Sequence, residues 1–89
     1  MRRATDLVVL YCVACWTATD HVYGSGGTPY DIGTVAACQA ACISDRSCVA
    51  VDWDPTNTGR TCWIQTSLTT RPTTNLTIVH YELNPRCQG

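Results

Sequence analysis

Hydrophobic and polar positions change period several times along this chain, and each change marks an element. Val35 to Ile43 is rich in Ala and free of Gly and Pro, which reads as a short helix. Thr34 stands just before it, where a hydroxyl can accept a hydrogen bond from an otherwise unpaired amide of the first turn. Cys38 and Cys42 are four apart, so they share one helix face, with Val35 a turn earlier on the same side. From Cys48 to Trp53 the period falls to two: Val49, Val51 and Trp53 face one way, Ala50 and Asp52 the other. That is a strand. Asp54 to Gly59 holds Pro55 and Gly59 where a hairpin connection wants them, and Thr61 to Gln65 returns as its second strand, bringing Cys62 back toward the helix. Leu76 to Leu83 alternates well enough for a last strand, ended by Asn84-Pro85.

The remaining stretches are read as connections. Asp20 to Gly33 contains Gly24-Ser25-Gly26-Gly27 and Thr28-Pro29, turn chemistry from which little burial is expected. Thr66 to Asn75 is polar and is expected to be an exposed loop. Residues 1–14 have two readings. Met1-Arg2-Arg3 followed by an apolar run from Leu7 to Ala14 has the order of a secretory leader, and Leu7–Val13 equally suits a first strand. Residues 15–88 form the domain, and 89 residues leave no room for a second. No stretch approaches the ~20 apolar residues of a membrane span.

Seven cysteines change the picture. A chain this short buries a smaller share of its surface than a large one, whereas a disulfide typically stabilises by ~2–4 kcal/mol, so three would rival the net stability of a small domain. Such bonds persist in an oxidising compartment, which makes the expected location secreted, extracellular or at the cell surface. The net charge is −1 and the six basic residues, all Arg, are scattered. Nucleic acid, which needs a basic stripe, is therefore not an expected partner. Spacing alone leaves 15 pairings open to six cysteines.

Cys38-x3-Cys42-x5-Cys48, then Val49-Ala50-Val51-Asp52-Trp53, the hairpin, and Thr61-Cys62-Trp63-Ile64 together resemble the PAN/apple domain family. His80-Tyr81 through Cys87 is similar to the closing strand and terminal cysteine of its three-disulfide, apple subtype. The resemblance spans about residues 15 to 88. It implies an α+β, disulfide-rich domain with one short helix packed on a curved antiparallel sheet. It also implies the pairs Cys42–Cys48, Cys38–Cys62 and an N-terminal cysteine with Cys87, for which both Cys12 and Cys15 are candidates; Cys15 is taken as the partner. The chain departs from the family pattern in having no Phe, with Val51 where an aromatic is common.

The resemblance further implies a non-catalytic module that binds an extracellular protein or glycan in adhesion, without a cofactor. The most ligand-like cluster is Asp52, Trp53 and Asp54 with Arg60 and Trp63 across the hairpin: rings to stack on a sugar, carboxylates and an arginine to bond its hydroxyls. Set against it, Trp53 and Trp63 could simply be the core of a phenylalanine-free domain. Trp16, His21 and Tyr23 are weighed the same way. His21 or His80 could activate a cysteine nucleophile, but a sulfur held in a disulfide is no nucleophile, so no enzyme is expected. Cys12-x2-Cys15 with Cys38-x3-Cys42 has the outline of a zinc site, yet leaves three cysteines unexplained, and no metal is expected. Cys12, the odd thiol, is a candidate for linking two chains, which is the alternative function, a structural or oligomerising unit. Asn75-Leu76-Thr77 is an N-glycosylation sequon.

Overall fold

The computed structural model describes residues 15–88; the leader or first strand read in residues 1–14, and Cys12 with it, lie outside the described residues. In chain order the elements are β1 Trp16–Asp20, β2 Val22–Gly24, β3 Thr28–Tyr30, α1 Val35–Ser44, β4 Ala50–Trp53, β5 Cys62–Gln65, β6 Thr70–Pro72, β7 Val79–Leu83 and a 3-10 turn Pro85–Cys87. Five strands form an antiparallel sheet ordered β1-β7-β4-β5-β3, and β2 pairs with β6 as a separate antiparallel ribbon. The domain is α+β and disulfide-rich.

α1 begins where Thr34 predicts it. Thr34 is extended, and its hydroxyl accepts the Ala37 amide at 3.1 Å. The helix ends as the Asp45 amide donates to the Cys42 carbonyl and the Asp45 carboxylate accepts from the Ser47 amide and hydroxyl. Those two bonds hold the Asp45 pKa below its ordinary value. Only Cys38 and Cys42 are buried on this helix. Ten residues make a marginal helix in water, so its fixed position depends on what those two sulfurs hold. Cys38 is bonded to Cys62 of β5, Cys42 to Cys48 just before β4, and Cys15 to Cys87 across the two ends of the domain.

The sheet register sorts the side chains into two faces. Val51 lies between Tyr81 and Ile64, and Trp53 between Val79 and Cys62. This face meets α1, and its core is Cys38, Cys42, Cys48, Val51, Cys62, Ile64 and Leu83, with Trp16, Trp53 and Tyr81 packed at its margin. Four of those seven core residues are cysteines, so the disulfides are also the filling. The opposite face carries Asp52 between His80 and Trp63, and Ala50 between Glu82 and Gln65.

The ribbon covers this second face, and here the structure departs from the sequence reading. Asp20–Gly33 and Thr66–Asn75 are not only connections: they supply β2 and β3, and β6. His21 adopts φ 64°, an uncommon value for a residue with a Cβ, and turns the chain out of β1 toward the ribbon. Its carbonyl accepts the Thr73 amide at 2.8 Å, and Ser25 donates to the Thr69 carbonyl at 3.0 Å. Strands of three residues held by such main-chain bonds need no alternating apolar pattern. Gly24, expected at the surface, is buried because its backbone lies on the Gln65 side chain, where a Cβ would overlap Gln65. β1 also falls where no element was read from the sequence, whereas the three expected strands differ only at their ends: β4 starts at Ala50 rather than Cys48, β5 at Cys62 and β7 at Val79.

Candidate functional site

Asp52 organises the second face. It is 2% exposed, and a buried carboxylate is costly unless donors satisfy it. Three do. Oδ1 is 2.7 Å from His80 Nδ1, while Oδ2 accepts the Gly24 amide at 2.8 Å and Gln65 Nε2 at 2.7 Å. The contact joins β4, β7, β5 and the ribbon through one side chain. Its hydrogen bond to Asp52 raises the His80 pKa; burial opposes the rise, and the charges of Asp52 and Glu82 add to it. His80 Nε2 is buried, makes no hydrogen bond among the described residues, and lies 3.4 Å from Glu82 Oε2, an ion-pair distance.

Asp54, 3% exposed, organises the neighbouring corner. Its Oδ1 accepts the Thr56 amide at 3.0 Å and the Thr56 hydroxyl at 2.7 Å, and stands 2.8 Å from the Thr77 hydroxyl. Its Oδ2 accepts from Asn75 Nδ2 at 3.2 Å. Burial pushes the Asp54 pKa up, but these hydrogen bonds outweigh it and hold the group below its ordinary value. A turn two residues on and the loop before β7 are thus pinned together, although they lie more than 20 positions apart.

Between these two carboxylates and the ribbon lies a pocket of about 340 Å³. Asp52 and Asp54 line it together with the larger side chains of Trp63, Ile78 and Tyr23. Gly24, Gly26 and Gly27 add backbone without side chains, and Asn57 and Asn75 complete the lining. A carboxylate offers about four lone-pair sites, so Asp52 with three donors and Asp54 with four contacts have little left for a ligand. The side-chain polar groups of the lining without a hydrogen bond to any other described residue are the Asn57 side-chain amide, the Trp63 indole N–H and the Tyr23 hydroxyl. Such a surface can stack a ring and exchange a few directed hydrogen bonds.

The cluster expected from the sequence is divided by the sheet. Asp52, Asp54 and Trp63 meet in the pocket. Trp53 and Arg60 do not: Trp53 alternates to the helix side and packs on the core, and Arg60 is exposed in the hairpin turn. Both carboxylates are held by hydrogen bonds within the fold. Trp16 likewise joins the core, away from Tyr23, and His21 is exposed at the kink after β1. Tyr23, weighed with Trp16 and His21, does line the pocket, whereas Gly24, Gly26, Gly27, Asn57 and Ile78 were not foreseen as site residues. Their one shared signal is position in turns or short strands that only the three-dimensional pairing brings together.

All six cysteines of the described residues are in disulfides. No group of three or more His, Cys, Asp or Glu suited to a metal ion occurs among the described residues. None of their helices is long and apolar enough to cross a membrane. No protein-family model, no curated protein and no solved structure matches this chain.

Proposed function

We propose that this chain is an extracellular, non-catalytic binding module of the PAN/apple kind, which engages a protein or a glycan through the pocket beneath the β2–β6 ribbon. The observation that carries this reading is the division of labour in the pocket. Its two acidic groups are occupied by the fold, while an aromatic wall, an amide and bare backbone are presented outward. Recognition sites are built from such a mix of apolar surface and a few placed polar groups. The three disulfides support the oxidising location, and their pairing, the same set that the family resemblance implies, supports the family reading.

Glycan and extracellular-protein panels probed with the whole chain test this. Trp63→Ala and Asn57→Ala should each weaken capture at least about tenfold, the effect of ~1.4 kcal/mol, whereas Arg60→Ala should not. A ligand held equally by Trp63→Ala and Asn57→Ala in their folded forms would remove the pocket from the account, and panels that yield no ligand would remove the binding function. A second reading, covalent assembly through Cys12, rests on one observation: the other six cysteines are paired within the chain. A dimer abolished by Cys12→Ser, with no panel ligand, would favour it.

A further inference from the structure

The sequon and the pocket share a residue. Asn75 of Asn75-Leu76-Thr77 is exposed, yet it also lines the pocket beside Trp63 and Asn57. Its amide is held in one direction. Oδ1 accepts the Thr77 amide at 2.9 Å and lies 2.7 Å from the Thr77 hydroxyl, while Nδ2 donates to Asp54 Oδ2 at 3.2 Å. Asp54 itself lines the pocket, so the nitrogen that a glycan would occupy is tethered to a pocket residue.

We propose that Asn75 carries an N-linked glycan whose first N-acetylglucosamine lies in this pocket, its ring against the Trp63 indole and its acetamide within reach of the Asn57 amide. The inference rests on the extracellular reading, since only a chain in the secretory pathway meets the glycosylating enzyme. In the transfer, the Asn75 amide nitrogen attacks the anomeric carbon of a lipid-diphosphate-linked oligosaccharide. A C–N bond forms as the C–O bond to the diphosphate breaks, the lipid diphosphate leaves, and one amide proton passes to the enzyme's base. One N–H remains, which is enough to keep the bond to Asp54. At about 340 Å³ the pocket is at the small end of the ~300–1,000 Å³ typical of ligand sites, a size for one or two sugar rings rather than a long oligosaccharide. The free indole N–H and the free Asn57 amide are the donors and acceptors such a ring requires. The consequence is regulatory: a chain bearing the glycan has its pocket filled, and a chain without it has the pocket open.

The test compares three forms of the same 89-residue sequence. One is made in the bacterial periplasm without glycan, one through the secretory pathway of a eukaryotic host, and one is the latter trimmed to a single N-acetylglucosamine by an endoglycosidase. Peptide mapping locates the glycan, and nuclear magnetic resonance reads the Trp63 indole N–H. The expected result is modification at Asn75, with the Trp63 signal displaced equally in the full and trimmed glycoforms and a nuclear Overhauser contact from the acetyl methyl to the indole. A glycan at Asn75 with a Trp63 signal coincident with the glycan-free form would overturn the seating. A secreted, disulfide-bonded chain with unmodified Asn75 would overturn the inference while leaving the extracellular reading standing. Retention with free thiols would overturn both.

Discussion

Replacing Asp52 by Ala should cost this domain a large part of its stability, although the residue belongs to no apolar core. The substitution strands three donors at once: His80 Nδ1, the Gly24 amide and Gln65 Nε2, on residues that are all buried. Each unsatisfied buried donor costs ~1–3 kcal/mol, and removing one partner of a buried ion pair costs ~3–5 kcal/mol. The two estimates describe overlapping losses, so the expected change is about 3–5 kcal/mol rather than their sum. Against a total of ~5–15 kcal/mol for a small domain, that approaches unfolding. Urea denaturation with the disulfides intact measures it, and a loss of about 3 kcal/mol should lower the melting temperature by about 12–24 °C in a domain of this size. Because Asp52 ties the ribbon to the sheet through Gly24, the Gly24 amide should also lose hydrogen-exchange protection before α1 does. A loss below about 1 kcal/mol, the worth of one ordinary hydrogen bond, with Gly24 still protected, would refute the idea that this carboxylate holds the second face together.

Three further perturbations follow from the same contacts. The His80 pKa is raised above its ordinary value by Asp52, so the contribution of this pair is fully present below about pH 6.5, the unfolded histidine value, and is lost as pH rises through the folded one. Urea unfolding across that window should show stability falling toward alkaline pH, with His80→Gln flattening the trend; an unchanged slope in the variant would contradict the assignment. Loop closure predicts an order for the disulfides: with separations of 72, 24 and 6 residues, removing Cys15–Cys87, Cys38–Cys62 or Cys42–Cys48 as Ala pairs should cost about 4, about 3.5 and about 2 kcal/mol respectively from chain entropy. The two inner bonds also fill the core, so their measured costs in thermal melting should exceed those values, and Cys38–Cys62 losing less than about 2 kcal/mol would count against the scheme. Gly24→Ala should destabilise, because its Cβ would overlap Gln65; wild-type melting in that variant would show that the ribbon does not rest on the sheet as described.

Much of the helix side was legible in the chain. Thr34 sits at the helix start as a hydroxyl there should, Cys38 and Cys42 share the inward face, and the alternation in 49–53 correctly sends Val51 and Trp53 to one side and Asp52 to the other. These are local signals, written in periods of 3.6 and 2. The ribbon side was not legible because nothing in it is local. β2 and β6 pair Val22 with Pro72 and Tyr23 with Arg71, strands of three residues with no apolar rhythm. Asp52 looked like a candidate ligand contact because it stands with Asp54 on either side of Trp53, a carboxylate pair flanking an aromatic ring. Its donors come from positions 13 and 28 residues away, and only their convergence makes the face buried. A hint was available: His80 and Gln65 alternate to the same side as Asp52, opposite Ile64 and Leu83, and three polar residues on one sheet face can bond one another. Asn75 was read as an isolated sequon, since its neighbour in space, Asp54, lies across the fold.

The most direct test of the account is the intact mass of the protein secreted from a eukaryotic host, measured before and after reduction, with peptide mapping of the linkages. Two hydrogens gained per bond at three bonds, located at Cys15–Cys87, Cys38–Cys62 and Cys42–Cys48, is the predicted result. Free thiols at Cys38, Cys42, Cys48 and Cys62, with a metal ion retained, would contradict the core, the compartment and the binding function together.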